Sequence, residues 1–327
     1  MNKFLLTNLI ITMLLISILP AAAETAQEWL NKGLALYEEG NYEEAILCYD
    51  RAIELEPDND TIWYDRGLAL DNLGKYEEAI TCYERAMEIN GGNVDALNNK
   101  GLILYNQGAY EEGLECFNRV IERAPYSIYG WSNKGLILYK RKQYDEAIKH
   151  FVKALDIDPY HRPSWINLGN CFYDQGNYDD AIKCYEKILT IDPSYSKAWY
   201  NRGNCFHAQG KDIDAIESYD RALEIKPDYV DAWNNKGEIL YYQGKYEKAI
   251  KCYDTAMEFA PESISAWYNK GLALHSLGRY DEAIKCYDKT IELAPEAIYS
   301  WNNKGLAFYS KGNYEEALEC YDKVIDR

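Results

Sequence analysis

The sequence predicts an all-α protein: a solenoid of about nine helical hairpins laid side by side. Three observations carry that expectation. Every tryptophan lies on one 34-residue comb, at 29, 63, 131, 165, 199, 233, 267 and 301, and the one empty tooth holds Leu97. With units beginning at 26, 60, 94, 128, 162, 196, 230, 264 and 298, position 8 is glycine in all nine. Position 24 is Tyr or Phe throughout, and position 32 is proline in every complete unit except that of Gly91.

Each unit reads in order as helix, break, helix, stop. Along the first helix, at 100° per residue, positions 4, 7, 8 and 11 share one side, which packs. Positions 2, 5, 6, 9, 12 and 13 share the opposite side, which is expected to be free. The break is Gly at 15 and Tyr at 17, with Lys142 and Asp212 as the exceptions. Alanine at 20, replaced once by Gly113, and glycine at 8 let the paired helices approach, and the aromatics at 4 and 24 fill the adjoining space. Proline at 32 ends the second helix. A lone hairpin cannot bury both flanks, so the units must stack.

The signature W at 4, G at 8, Y at 17, A at 20, aromatic at 24 and P at 32 resembles the tetratricopeptide repeat, over residues 26–327. The wording resembles that of multi-repeat archaeal members of that family, such as methanogen surface proteins. The resemblance implies a right-handed superhelix of helix-turn-helix repeats whose first helices line a concave groove.

Bulk composition narrows the function. The chain has 327 residues, 47% apolar and 27% charged, with 31 tyrosines and a net charge of −18. That charge argues against nucleic acid and anionic membrane surfaces, which require basic patches. Residues 1–23, "MNKFLLTNLIITMLLISILPAAA", carry one lysine, an apolar run and small residues, the layout of a secretory signal peptide; the alternative is an uncleaved membrane anchor. The protein is therefore expected to be exported, to the outside or the cell surface.

The expected groove is rich in tyrosine and asparagine. Position 6 is Asn31, Asn99, Asn133, Asn167, Asn201, Asn235, Asn269 and Asn303, with Asp65 the departure. Between these rungs stand Tyr105, Tyr139, Tyr173, Tyr200, Tyr241, Tyr268 and Tyr309, together with Tyr242 and Tyr299. An amide both donates and accepts, so a ladder of them can hold any peptide backbone, at roughly 1 kcal/mol per bond. This ladder is similar to the one that holds extended peptides in the tetratricopeptide superhelix of O-GlcNAc transferase. The alternative is that the amides bond within their own helix or to the neighbouring repeat. The family's clamp for acidic chaperone tails is incomplete: Asn170, Asn204 and Lys197 match it, but no unit has lysine at 5 or arginine at 6.

Lys or Arg fills position 7 in eight units, and a stem lying over apolar surface with its head on a nearby carboxylate is expected there. Seven of nine cysteines occupy position 23, and no CxxC occurs, so half-buried free thiols are expected rather than disulfides or a metal site. No catalytic triad, phosphate loop or metal spacing appears, and no cofactor is expected. At the far end Tyr321, Val324 and Ile325 would be partly bare, and a second copy or a partner could cover them. The function expected is a non-catalytic scaffold for a peptide or protein partner. The alternative is an exported spacer that self-associates through its last repeat.

Overall fold

Regular capping punctuates the chain. Ser127, Ser263, Asn59, Asn93 and Thr25 each precede a first helix and accept a hydrogen bond from its opening turn, satisfying a backbone donor left free there. Most second helices open with two carboxylates, as at Glu43 and Glu44, which complement the positive end of the helix dipole. Between the helices the glycine at position 15 turns the chain back with a positive φ, 70 to 83° wherever glycine is present, and Lys142 adopts the same region at 59°.

The computed structural model describes residues 24–325, and every regular element among them is an α-helix. The leader expected at residues 1–23 lies outside the described residues. The described chain falls into two compact units, meeting at Gln143 and Tyr144. The first unit holds α1 (Ala26–Glu38), α2 (Tyr42–Leu55), α3 (Asp60–Asn72), α4 (Tyr76–Ile89), α5 (Val94–Asn106), α6 (Tyr110–Arg123) and α7 (Ile128–Lys140). The second holds α8 (Tyr144–Ile157), α9 (Arg162–Asp174), α10 (Tyr178–Ile191), α11 (Ser196–Ala208), α12 (Asp212–Ile225) and α13 (Val230–Tyr242). It continues through α14 (Tyr246–Phe259), α15 (Ile264–Ser276), α16 (Tyr280–Leu293), α17 (Ile298–Lys311) and α18 (Tyr314–Ile325). Within each unit a helix packs on its sequence neighbours, and successive first helices also touch, as α13 touches α15. This is the stacked-hairpin architecture expected from the 34-residue period.

Inside a hairpin the glycine at 8 faces the ring at 24. In eight hairpins a Cβ placed on that glycine would fall 2.4 to 2.8 Å from the ring, as at Gly237 against Tyr253. The rings themselves are fully buried at Tyr49, Tyr83, Phe117, Tyr185, Tyr219, Tyr253 and Tyr287.

Between hairpins two bonds recur on this flank. The indole N–H of Trp63 donates to the Pro57 carbonyl at 2.8 Å, and Trp131, Trp165, Trp199, Trp233, Trp267 and Trp301 do the same to the proline six residues back. The missing tryptophan, Leu97, and the missing proline, Gly91, belong to one and the same junction. Position 7 reaches back to position 25 of the preceding unit: Arg66–Asp50 at 2.7 Å, Lys100–Glu84 at 2.6 Å, Lys236–Asp220 at 2.5 Å, Lys270–Asp254 and Lys304–Asp288 at 2.6 Å. Several of these heads also lie over the position 4 ring, as Lys236 does over Trp233 at 5.3 Å. The expected stem and carboxylate are both present.

The thiols correct an expectation. All nine cysteines are free and buried, not half-buried: position 23, which holds seven of them, turns into the stack of hairpins, and so does position 10, which holds Cys171 and Cys205. Burial pushes Cys171, Cys184 and Cys205 up to about 12, so they stay protonated at neutral pH and make poor nucleophiles.

Replacing Gly237 by alanine should lower stability by about 1–3 kcal/mol, because a buried ring must shift to admit the methyl. Urea denaturation followed by circular dichroism checks this, and an unchanged midpoint would contradict the packing described.

Candidate functional site: the first-helix face

On the first helices the positions most open to solvent are 2 and 13, not the whole six-position side expected. Position 2 is exposed in every unit, from Gln27 and Thr61 to Ser265 and Tyr299. Position 13 is exposed at Asn106, Lys140, Asp174, Tyr242, Ser276 and Ser310. Positions 5 and 6 instead sit in the seam between adjacent first helices, buried or half-buried except at Asn302 and Asn31. The reason is the close approach of neighbouring first helices, which brings position 6 of one unit onto positions 5 and 9 of the unit before.

The seam accounts for most of the asparagine ladder. Asn99 donates to the Tyr64 hydroxyl at 3.3 Å and Asn133 to the Asn98 carbonyl at 2.9 Å. Asn201 donates to Asn170 at 3.3 Å, and Asn235 to both Tyr200 and Asn204, at 3.2 and 3.0 Å. Asn303 donates to Tyr268 at 2.8 Å. Asn31, in the first unit, accepts from Gln27 within its own helix. Asn167 and Asn269 differ: both are half-buried and neither has a hydrogen-bond partner among the described residues. Asn167 also lines a cavity of about 270 Å³ with Arg162, Pro163, Ile166 and Tyr195. There Arg162 pairs with Asp192 at 2.7 Å and lies over the Tyr195 ring.

The tyrosines expected on this face divide in two. Tyr105, Tyr139, Tyr173, Tyr200, Tyr241 and Tyr268 are half-buried. At position 12 the ring packs against the tyrosine at 17, edge-on for Tyr173 on Tyr178 at 5.5 Å and tilted for Tyr241 on Tyr246 at 5.5 Å. The sixth unit replaces both rings with a hydrogen-bonded couple, His207 and Asp212, 3.1 Å apart. By contrast Tyr242 is 73% exposed, Tyr299 77% and Tyr309 57%. Tyr242 lies 5.4 Å from Tyr241. Burial raises the Tyr268 hydroxyl, the Asn303 hydrogen bond partly offsets this, and Tyr241, Tyr299 and Tyr242 stand near enough to raise it further. Four tyrosines from three successive hairpins thus gather on one stretch of this face.

Two features were not read from sequence. Position 9 decides whether the buried phenol at 24 is satisfied: Tyr185 donates to Asn170 and Tyr219 to Asn204, both at 2.8 Å. Where position 9 is Leu34, Leu68 or Leu272, the hydroxyls of Tyr49, Tyr83 and Tyr287 find no partner among the described residues. The signal was present, since Asn170 and Asn204 share their units with tyrosine at 24. The second is Asp65, 9% exposed. Its preceding unit offers Leu30 and Leu34 at positions 5 and 9, so it gains none of the seam bonds its asparagine counterparts make. Burial raises its carboxyl to about 6.

Among the described residues no group of three His, Cys, Asp or Glu is placed to hold a metal ion, and no helix is long and apolar enough to cross a membrane.

A family model described as tetratricopeptide repeat matches residues 128–161, 163–195, 196–229, 264–296 and 298–327. Related repeat models match 33–74 and 237–278, 64–128, and 218–251. Among solved structures, the C-terminal part of a TPR repeat-containing protein from Cytophaga hutchinsonii is 18% identical, covering 73% of this chain and 98% of its own, with a TM-score of 0.60. A tetratricopeptide repeat protein from Parabacteroides merdae is 18% identical over 76% of this chain and 98% of its own, with a TM-score of 0.59. YrrB, described as a TPR protein with an unusual peptide-binding site, is 21% identical over 57% of this chain and 97% of its own, with a TM-score of 0.48. No curated protein matches the chain.

Tyr287→Phe should leave stability unchanged or raise it by up to about 1 kcal/mol, because it removes an unpaired buried hydroxyl. Tyr185→Phe should lower it by about 1 kcal/mol, because it removes the shorter of the two bonds the Asn170 carbonyl accepts and leaves it only the one from Asn201. Denaturation midpoints of the two variants should move in opposite directions or one should stay still; equal losses would contradict the position 9 account.

Asp65 carries a proton more tightly folded than unfolded, so its contribution is intact below pH 4 and is lost as pH rises through about 6. Asp65→Asn should therefore be the more stable protein at pH 7, by up to about 3 kcal/mol, with the gap closing near pH 4. Urea titrations at the two pH values measure the gap, and a gap independent of pH would contradict the buried, titrating carboxyl.

Proposed function

The chain belongs to the tetratricopeptide repeat family, and from that premise we propose that it is a non-catalytic scaffold holding an extended peptide or protein partner on its first-helix face. Arrays of this family use their first-helix faces for protein partners. The observation that carries the reading is the set of exposed tyrosines, Tyr242, Tyr299 and Tyr309, on a face whose neighbours are otherwise tied into the stack. Tyrosine supplies broad contact area with few rotatable bonds, and a solvent-facing cluster of it is spare capacity for a partner. Asn167 and Asn269 supply amides not consumed by the seam, so a peptide backbone can use those two rungs without breaking the array. The remaining rungs support the scaffold by joining repeats.

Export through the leader-like residues 1–23, and the archaeal likeness of the repeat wording, belong to this proposal on sequence grounds alone. A second reading has its own observation. Leu318 is 62% and Ile325 78% exposed on α18, an apolar strip that a second copy could cover.

Substituting Tyr242 and Tyr299 together by serine should reduce capture of the partner from the native host at least about tenfold, with the helical circular dichroism signal unchanged. Undiminished capture by the double variant would overturn the scaffold reading at this face.

A further inference from the structure

We infer that Glu238, Asn269 and the tyrosines around them form a subsite for the lysine or arginine side chains of a basic partner segment. The inference rests on the scaffold reading and deepens it by assigning the partner's charge.

Position 9 is leucine or asparagine in every other repeat, and Glu238 is the one charged residue there. It lies half-buried on α13, yet forms neither an ion pair nor a hydrogen bond among the described residues. In the two preceding seams the position 9 carbonyl receives the next unit's position 6 amide, Asn201 onto Asn170 and Asn235 onto Asn204. The same step places Asn269 next to Glu238. No bond joins them, so both groups remain available at one place on the face.

Among the described residues no cation pairs with this carboxylate. The lysine of its own helix α13, Lys236, and that of the next first helix α15, Lys270, are turned to the opposite flank. They are held there by Asp220 at 2.5 Å and Asp254 at 2.6 Å, and they lie over the rings of Trp233 and Trp267. On α15, burial lowers the His275 imidazole and so favours its uncharged form. Further along the α13 face Asp231 is exposed and also acidic.

The groups left over all favour a cation. A carboxylate and an amide oxygen accept N–H bonds, and the exposed rings of Tyr242 and Tyr299 attract positive charge through their quadrupoles. An acidic side chain in the same place would meet Glu238 and Asp231 with nothing to balance them. The net charge of −18 steers basic segments toward the protein at long range, and this subsite gives them a specific seat.

The test uses the full chain and two fluorescein-labelled peptides, glycine alternating with lysine and glycine alternating with glutamate, in anisotropy titrations at low salt. The lysine peptide should bind at least about tenfold more tightly. Glu238→Gln should weaken it by about tenfold without lowering the unfolding midpoint, while Glu315→Gln, an acid on the second helix of another repeat, should not. Failure of the lysine peptide to bind, equal binding of both peptides, or full affinity in Glu238→Gln would each overturn the inference. If Tyr242→Ser with Tyr299→Ser abolishes capture of the native partner while Glu238→Gln changes nothing, the cation subsite falls and the scaffold reading stands. If that double variant captures normally, the scaffold reading itself falls.

Discussion

A glycine with no side chain lets an aromatic ring lie flat against a helix backbone, and every other contact in the array presupposes that approach. In eight hairpins the space a methyl would need at position 8 is already occupied by the ring at position 24. The two helices are therefore held at a separation that only glycine permits, and the ring is sealed from water. Because the ring fills the hairpin from inside, its outer flanks stay apolar and must be covered by the next copy. Repetition follows from that geometry.

Polar groups then decide how one copy meets the next. The indole N–H at 4 finds the carbonyl at 32, the cation at 7 finds the acid at 25, and the amide at 6 finds positions 5 and 9. The exceptions in the repeat obey the same pairing. Leu97 needs no carbonyl at 91, and glycine stands there in place of proline. Asp212 replaces a tyrosine where His207 can pair with it. Asp65 is the counterexample: its seam offers only leucine, and the carboxyl responds by holding its proton into the weakly acidic range.

Function belongs to what this pairing leaves over. A residue already bonded across a seam cannot be given to a ligand without opening the stack, which separates Asn235 from Asn269 although the two occupy the same repeat position. The tyrosines separate in the same way. Those at positions 5 and 12 support the seam or the turn, whereas Tyr242 and Tyr299 project from positions 13 and 2 into solvent. They stand on α13 and α17 and put two exposed rings on one stretch of the face.

The helical class, the glycine turns and the lysine stems were legible in the sequence, because each follows from local geometry or from a 34-residue period that one chain displays nine times. The burial of the cysteines and the width of the free face were not legible. Both depend on how far one hairpin rotates and slides against the next, a distance that periodicity leaves open. For the same reason eight identical asparagines looked like one ladder. Only the tertiary structure separates the rungs that hold repeats together from Asn167 and Asn269, since a hydrogen bond is settled by the partner's position, and the partner lies on another repeat.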